Sequence, residues 1–101
     1  MSNIYIISSA KHNLGPVKIG ISDNPENRLK SLQTGFPEKL EIKYLEVLDE
    51  RKKARKFEGL LHKDISHLRS HGEWFNLDVA AAILHVQFTI IHYDTTTLTE
   101  L

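Results

Sequence analysis

Two short runs, Ile4-Tyr5-Ile6-Ile7 and Val17-Lys18-Ile19-Gly20-Ile21, decide how this chain folds. The first is β-branched and aromatic, as a strand requires. The second alternates apolar and polar residues in the manner of a half-buried strand. Between them, Ser8 to Pro16 carries Asn13, Gly15 and Pro16, which mark a loop. Two strands joined this way form an antiparallel hairpin. Successive side chains of a strand point to opposite faces, so Tyr5 faces away from Ile4 and Ile6, and Lys18 away from Val17 and Ile19. That arrangement can put the Lys18 ammonium beside the Tyr5 phenol across the hairpin.

Downstream, Asn24-Pro25-Glu26 has the order of a helix start: a capping residue, a first-turn proline and an acid. Leu29 and Leu32 give that helix its apolar stripe, and Gly35 with Pro37 ends it. Glu41 to Leu48 alternates again and predicts a third strand. Residues 49–68 hold the clearest helix, with Asp49 as its cap. Its Ala54, Phe57, Leu60, Leu61, Ile65 and Leu68 recur at three- and four-residue spacing. Gly72 closes the segment, and Glu73-Trp74-Phe75 is a short aromatic stretch. Asp78 then caps an apolar segment, Val79 to Ile91, read as a helix although Val86 to Tyr93 is β-branched. The predicted order is β-β-α-β-α-α. It defines a small α/β (α+β) domain with a three-stranded, mainly antiparallel sheet flanked by helices, spanning residues 1–93 with a loose tail at 94–101.

A chain of 101 residues suits one domain, and its 41% hydrophobic content suffices for one core. Without cysteine there is neither a disulfide nor a thiolate metal site, and the cytoplasm is the natural compartment. No apolar run reaches the ~18 residues of a membrane span, and Met1-Ser2-Asn3-Ile4 lacks the basic start of a signal peptide. Formal charge is zero, from 13 basic and 13 acidic residues. The balance is uneven: residues 51–73 hold seven basic side chains against three acidic ones, whereas no Lys or Arg follows residue 73. A modest basic face is therefore available for a polyanion.

Several of these segments resemble, in order, the motifs of one family. Ile4-Tyr5-Ile6 followed by Lys18-Ile19-Gly20 looks like the paired strand motifs of the GIY-YIG nuclease superfamily. Asn24-Pro25 to Arg28-Leu29, then Leu32-Gln33-Thr34-Gly35, is similar to its arginine helix. Glu58-Gly59-Leu60-Leu61-His62 and Gly72-Glu73-Trp74-Phe75 resemble signatures of its compact phage and meiotically up-regulated branch. Asn3 replaces the leading glycine of the first motif; Lys18 replaces the tyrosine of the second, and a lysine there is similar to what that branch shows. The resemblance spans residues 3–77. It implies an endonuclease that hydrolyses DNA phosphodiester bonds with a single Mg²⁺ (or Mn²⁺).

Phosphodiester hydrolysis needs an activated water and positive charge where the phosphorane oxygens gain electrons. Glu58 is the expected metal ligand, a hard oxygen donor suited to Mg²⁺; the plainer reading is a solvated helix carboxylate paired with Arg55. Arg28 can grip a phosphate through two parallel hydrogen bonds. Tyr5 can orient or deprotonate the water if a metal or Lys18 lowers its pKa. His62, one turn beyond Glu58, can shuttle a proton, and Glu73 can complete the polar site. Gly20 marks a close approach of backbone or substrate, with Lys30 and Arg55 as further substrate contacts. The six histidines do not spell a zinc site: His62, His67 and His71 are five and four residues apart, and there is no His-Glu-x-x-His. The run Arg51-Lys52-Lys53-Ala54-Arg55-Lys56 is either a solvated face or a phosphate-contacting ridge. Two other readings compete with an enzyme: an inactive nucleic-acid-binding module, and an interaction domain that dimerises through residues 79–91. DNA is the expected partner, joined by a targeting protein if specificity comes from outside, and no membrane is expected.

Overall fold

The computed structural model describes residues 2–100, with side chains to Tyr93. The elements are β1 (Ser2–Ser9), β2 (Val17–Ser22), α1 (Pro25–Thr34), β3 (Leu40–Leu48), α2 (Arg51–Asp64), β4 (Arg69–His71), β5 (Trp74–Phe75) and α3 (Val79–Glu100). A short 3-10 turn, Ser66–Leu68, links α2 to β4. The fold is α+β, with one antiparallel sheet in the order β3-β1-β2-β5-β4. Five strands thus replace the three expected, and the order becomes β-β-α-β-α-β-β-α. The two additions are three and two residues long. Runs that short cannot display a period of two, and their pairing is set by the strands already laid down.

The hairpin pairs Tyr5 with Gly20 and Ile7 with Lys18. Its period divides the core in two. Ile4, Ile6, Val17 and Ile19 join Ala54, Phe57 and Leu61 of α2 and Val79, Ala82 and Val86 of α3 in one cluster. On the other face, Tyr5, Ile7, Leu40 and Trp74 form a smaller cluster under Leu29, Leu32 and Phe36. A bulge in the β1–β3 pairing, where Ile6 faces Tyr44 but Ile7 faces Ile42, sends Ile42 and Tyr44 to opposite faces. Two residues apart on a regular strand, they would have shared one.

Local chemistry accounts for the helix ends. The Asn24 side-chain oxygen accepts a hydrogen bond from the Asn27 backbone N–H at 3.1 Å, Pro25 fills the first turn, and Gly35 caps the far end of α1. Asp78 caps α3 by accepting from the Ala81 N–H at 2.7 Å. Residues 49–68 are not one helix capped by Asp49. α2 starts at Arg51, with Glu50 at its cap position and no side-chain capping bond, and stops at Asp64 before the 3-10 turn. Its first turn is basic, which opposes the helix dipole. Burial of Ala54, Phe57 and Leu61 holds it instead. α3 is helical through its β-branched second half, and its backbone continues so as far as residue 100; Leu101 and the side chains from 94 onward, in the stretch read as a tail, lie outside the described residues. Leu84, Phe88 and Ile91 on α3 are 53%, 70% and 64% exposed, an apolar stripe that no described residue covers. Among the described residues, no helix is long and apolar enough to cross a membrane.

Candidate active site

The site begins where a strand stops early. β5 pairs with β2 only at Val17 and Lys18, and the Ile19 N–H reaches the Glu73 carbonyl at 3.2 Å as a last rung. Beyond that rung β2 stays paired with β1 as far as Ser22, but its other edge has backbone groups that still need partners. Side chains of α2 supply them. His62 Nε2 donates to the Ile19 carbonyl at 2.8 Å, and the Glu58 carboxylate is stabilised by the backbone of Ile21. Glu58 and His62 can do this together because residues four apart share a helix face, while Phe57 and Leu61 turn into the core.

Glu73, immediately before β5, completes the group. One ligand atom from each of Glu58, His62 and Glu73 lies within 4.8 Å of the others, and all three residues are half-buried. Among the described residues this is the one cluster of its kind. Its electrostatics are unfavourable as it stands. Burial first, then the charge and hydrogen bonding of Glu73, push the Glu58 carboxyl up to about 7. Two oxygen donors and an imidazole gathered around excess negative charge suit a divalent cation, which would reverse that penalty. A carbonyl can only accept, so the Ile19 contact fixes the proton of neutral His62 on Nε2 and leaves Nδ1 with its lone pair. Burial holds the imidazole below its ordinary pKa, which favours that neutral form.

Tyr5 and Arg28 stand beside this cluster. Arg28 Nε on α1 donates to the Tyr5 hydroxyl at 3.3 Å. The charges of Glu73 and Glu58 both reach the phenol, and that of Glu73 reaches the guanidinium. Gly20 lies under the phenol: a Cβ there would sit 2.5 Å from the Tyr5 hydroxyl oxygen. The close approach foreseen at Gly20 is therefore filled by Tyr5 itself. Lys18 shares the face of Tyr5 but turns the other way, its ammonium 3.5 Å from Glu73 and 5.7 Å from the Trp74 ring. It does not depress the phenol. Burial raises the Tyr5 pKa, with the Arg28 hydrogen bond opposing that rise. Arg55 is exposed one turn before Glu58 and its charge favours the ionised carboxylate. Lys30 is also exposed and lines a shallow hollow with Leu29, Gln33, Thr34, Lys39 and Leu40. Two residues from Arg28 on a helix, it points to another side.

The sequence put Glu58 and His62 on one helix face, and their grouping with Glu73 depends on where β5 pairs. A small α+β sheet with one carboxylate and imidazole cluster, flanked by a phenol and a guanidinium, is the class that this geometry defines. The chain belongs to the T5orf172 domain family, whose sequence profile matches residues 3–89. That domain is generally regarded as related to the GIY-YIG nucleases. No curated protein and no solved structure matches the chain.

Proposed function

We propose that this domain is a metal-dependent endonuclease that hydrolyses phosphodiester bonds in DNA. The observation that carries the reading is the meeting of Glu58, Glu73 and His62 within 4.8 Å, next to the hydrogen-bonded Tyr5–Arg28 pair. Glu58 and Glu73 would hold one Mg²⁺ or Mn²⁺, which when bound supplies Lewis acidity and a more acidic water. The protein's own groups do the rest. Arg28 carries a permanent positive charge toward the phosphate, where negative charge grows in the transition state. Tyr5 accepts from Arg28 and so keeps its own O–H to orient the attacking water or a phosphate oxygen. With its pKa raised, it is a poor base at neutral pH. The lone pair of His62 Nδ1 is the better proton acceptor. Lys18, largely buried and 3.5 Å from Glu73, is a further phosphate contact in this reading, and Arg55 can add another. Gly20 acts by admitting the phenol rather than by touching substrate.

Incubation of supercoiled and linear DNA with Mg²⁺, with Mn²⁺ and with EDTA tests the proposal. Cleavage should need the ion and should fall to background in Glu58→Gln. Arg28→Ala should lower turnover by about 10²–10³, the usual loss when one donor to a developing oxyanion is removed. Glu58→Gln cutting at the wild-type rate would refute the metal assignment. DNA binding with no product under any metal would favour an inactive binding module. The exposed Leu84, Phe88 and Ile91 support a second reading, dimerisation through α3. Sedimentation across a range of concentrations decides it.

A further inference from the structure

On the Tyr5 face of the sheet, the loop after β1 and the turn after α1 enclose a pocket of about 260 Å³. Phe36, Trp74 and Leu40 form its apolar wall, and Ser9, His12 and Glu38 its polar positions. Phe36 and Trp74 are stacked, with ring centroids 5.2 Å apart and planes 20° from parallel. The volume lies below the ~300–1,000 Å³ usual for sites of drug-sized ligands, so it suits one flat ring system.

The polar groups narrow the choice. The Ser9 hydroxyl oxygen already accepts from the Lys11 N–H at 3.2 Å, and His12 Nδ1 accepts from the Leu14 N–H at 3.1 Å. His12 is left with a proton to donate from Nε2, and Ser9 Oγ keeps its proton and a second lone pair, whereas the Glu38 carboxylate only accepts. The matching ligand is aromatic and planar, with both acceptors and donors on its edge. Trp74 connects this pocket to the site: its ring lies under the Lys18 ammonium, which in turn contacts Glu73. A hydrogen-bonding flat ring placed next to a cation for an anionic group is the pattern of a nucleotide.

We propose that the pocket receives one unpaired nucleobase of the DNA strand whose backbone passes Lys18 and Arg28. The substrate is then single-stranded or locally unpaired DNA, since a base inside an intact duplex cannot enter without being extruded. The inference rests on the nuclease reading for the identity of the substrate, but the pocket's ligand can be examined without turnover.

Trp74 is the single tryptophan of the chain, so its emission reports directly on this wall. The full chain, in EDTA, is titrated with a thymidylate trinucleotide and with the same backbone bearing abasic residues throughout. The trinucleotide should change Trp74 emission saturably, with an affinity at least about tenfold above the abasic backbone, as loss of base stacking implies. His12→Ala, at an exposed position, should weaken the trinucleotide several-fold and leave the abasic backbone unaffected. Equal response to both ligands, or no saturable response, overturns the pocket. Cleavage on adding Mg²⁺ without a base-dependent response would keep the nuclease reading and discard the pocket. A base-dependent response without cleavage would do the reverse.

Discussion

The two faces of the sheet are finished to different degrees. One is sealed by α2 and α3, which share with the sheet a cluster of thirteen buried residues. The other has four buried residues beneath α1, a helix in which not one residue is buried. Burial of apolar area holds the domain together, so the sealed face supplies most of its stability. The thinly covered face leaves Arg28 exposed to solvent above the buried Tyr5 and Lys18, at the cost of that burial. α2 serves both sides. Its Ala54, Phe57 and Leu61 look inward, while Glu58 and His62, on the adjacent stripe, reach the end of β2.

This division of labour sets an order of effects. Leu61→Ala, in the sealed core, should cost about 2–5 kcal/mol in urea unfolding. A loss under 1 kcal/mol would mean that the two faces contribute alike. Gly20→Ala should cost about 1–3 kcal/mol, as overpacking does. Its main result should be displacement of the Tyr5 phenol from Arg28, with loss of cleavage in a folded protein. Retained activity would show that the phenol's seat is immaterial.

Glu58→Gln should stabilise the metal-free protein. The native carboxyl, at about 7, binds its proton more tightly than the ordinary 4.5. Its contribution is therefore full below pH 4.5 and is lost as pH rises through 7. Wild type and variant should differ little at pH 4.5. At pH 8 the variant should be ahead by about 1–2 kcal/mol, after allowance for partial exposure to solvent. Mg²⁺ should raise the wild-type Tm and close that gap. A pH-independent difference would remove the charge argument. Phe88→Ser, on the exposed stripe of α3, should change stability by less than about 0.5 kcal/mol.

Legibility in the sequence followed the length of each signal. The hairpin was readable because Val17 to Ile21 alternates over five residues, and α2 because its apolar spacing persists for several turns. Tyr5, Arg28 and Glu58 could be singled out as a set from motif order alone. β4 and β5 were hidden, because two or three residues carry no periodicity. The pairing of Trp74 with Lys18 is a tertiary event, and everything that depends on it was hidden as well. Glu73 thus joins Glu58 and captures Lys18, where the hairpin by itself suggested Lys18 beside Tyr5. The bulge between Ile6 and Ile7 was invisible for a similar reason: it belongs to a pairing and to neither strand alone.

The brevity of β5 carries one more consequence. A bare stretch of strand invites a neighbouring molecule to add its own and start an aggregate. Here an imidazole and a carboxylate plug the open end of β2. The same two side chains that would meet substrate also guard the domain against self-templating. Replacing both with alanine should leave a protein that clumps during refolding, a fault that inactivity alone would not reveal.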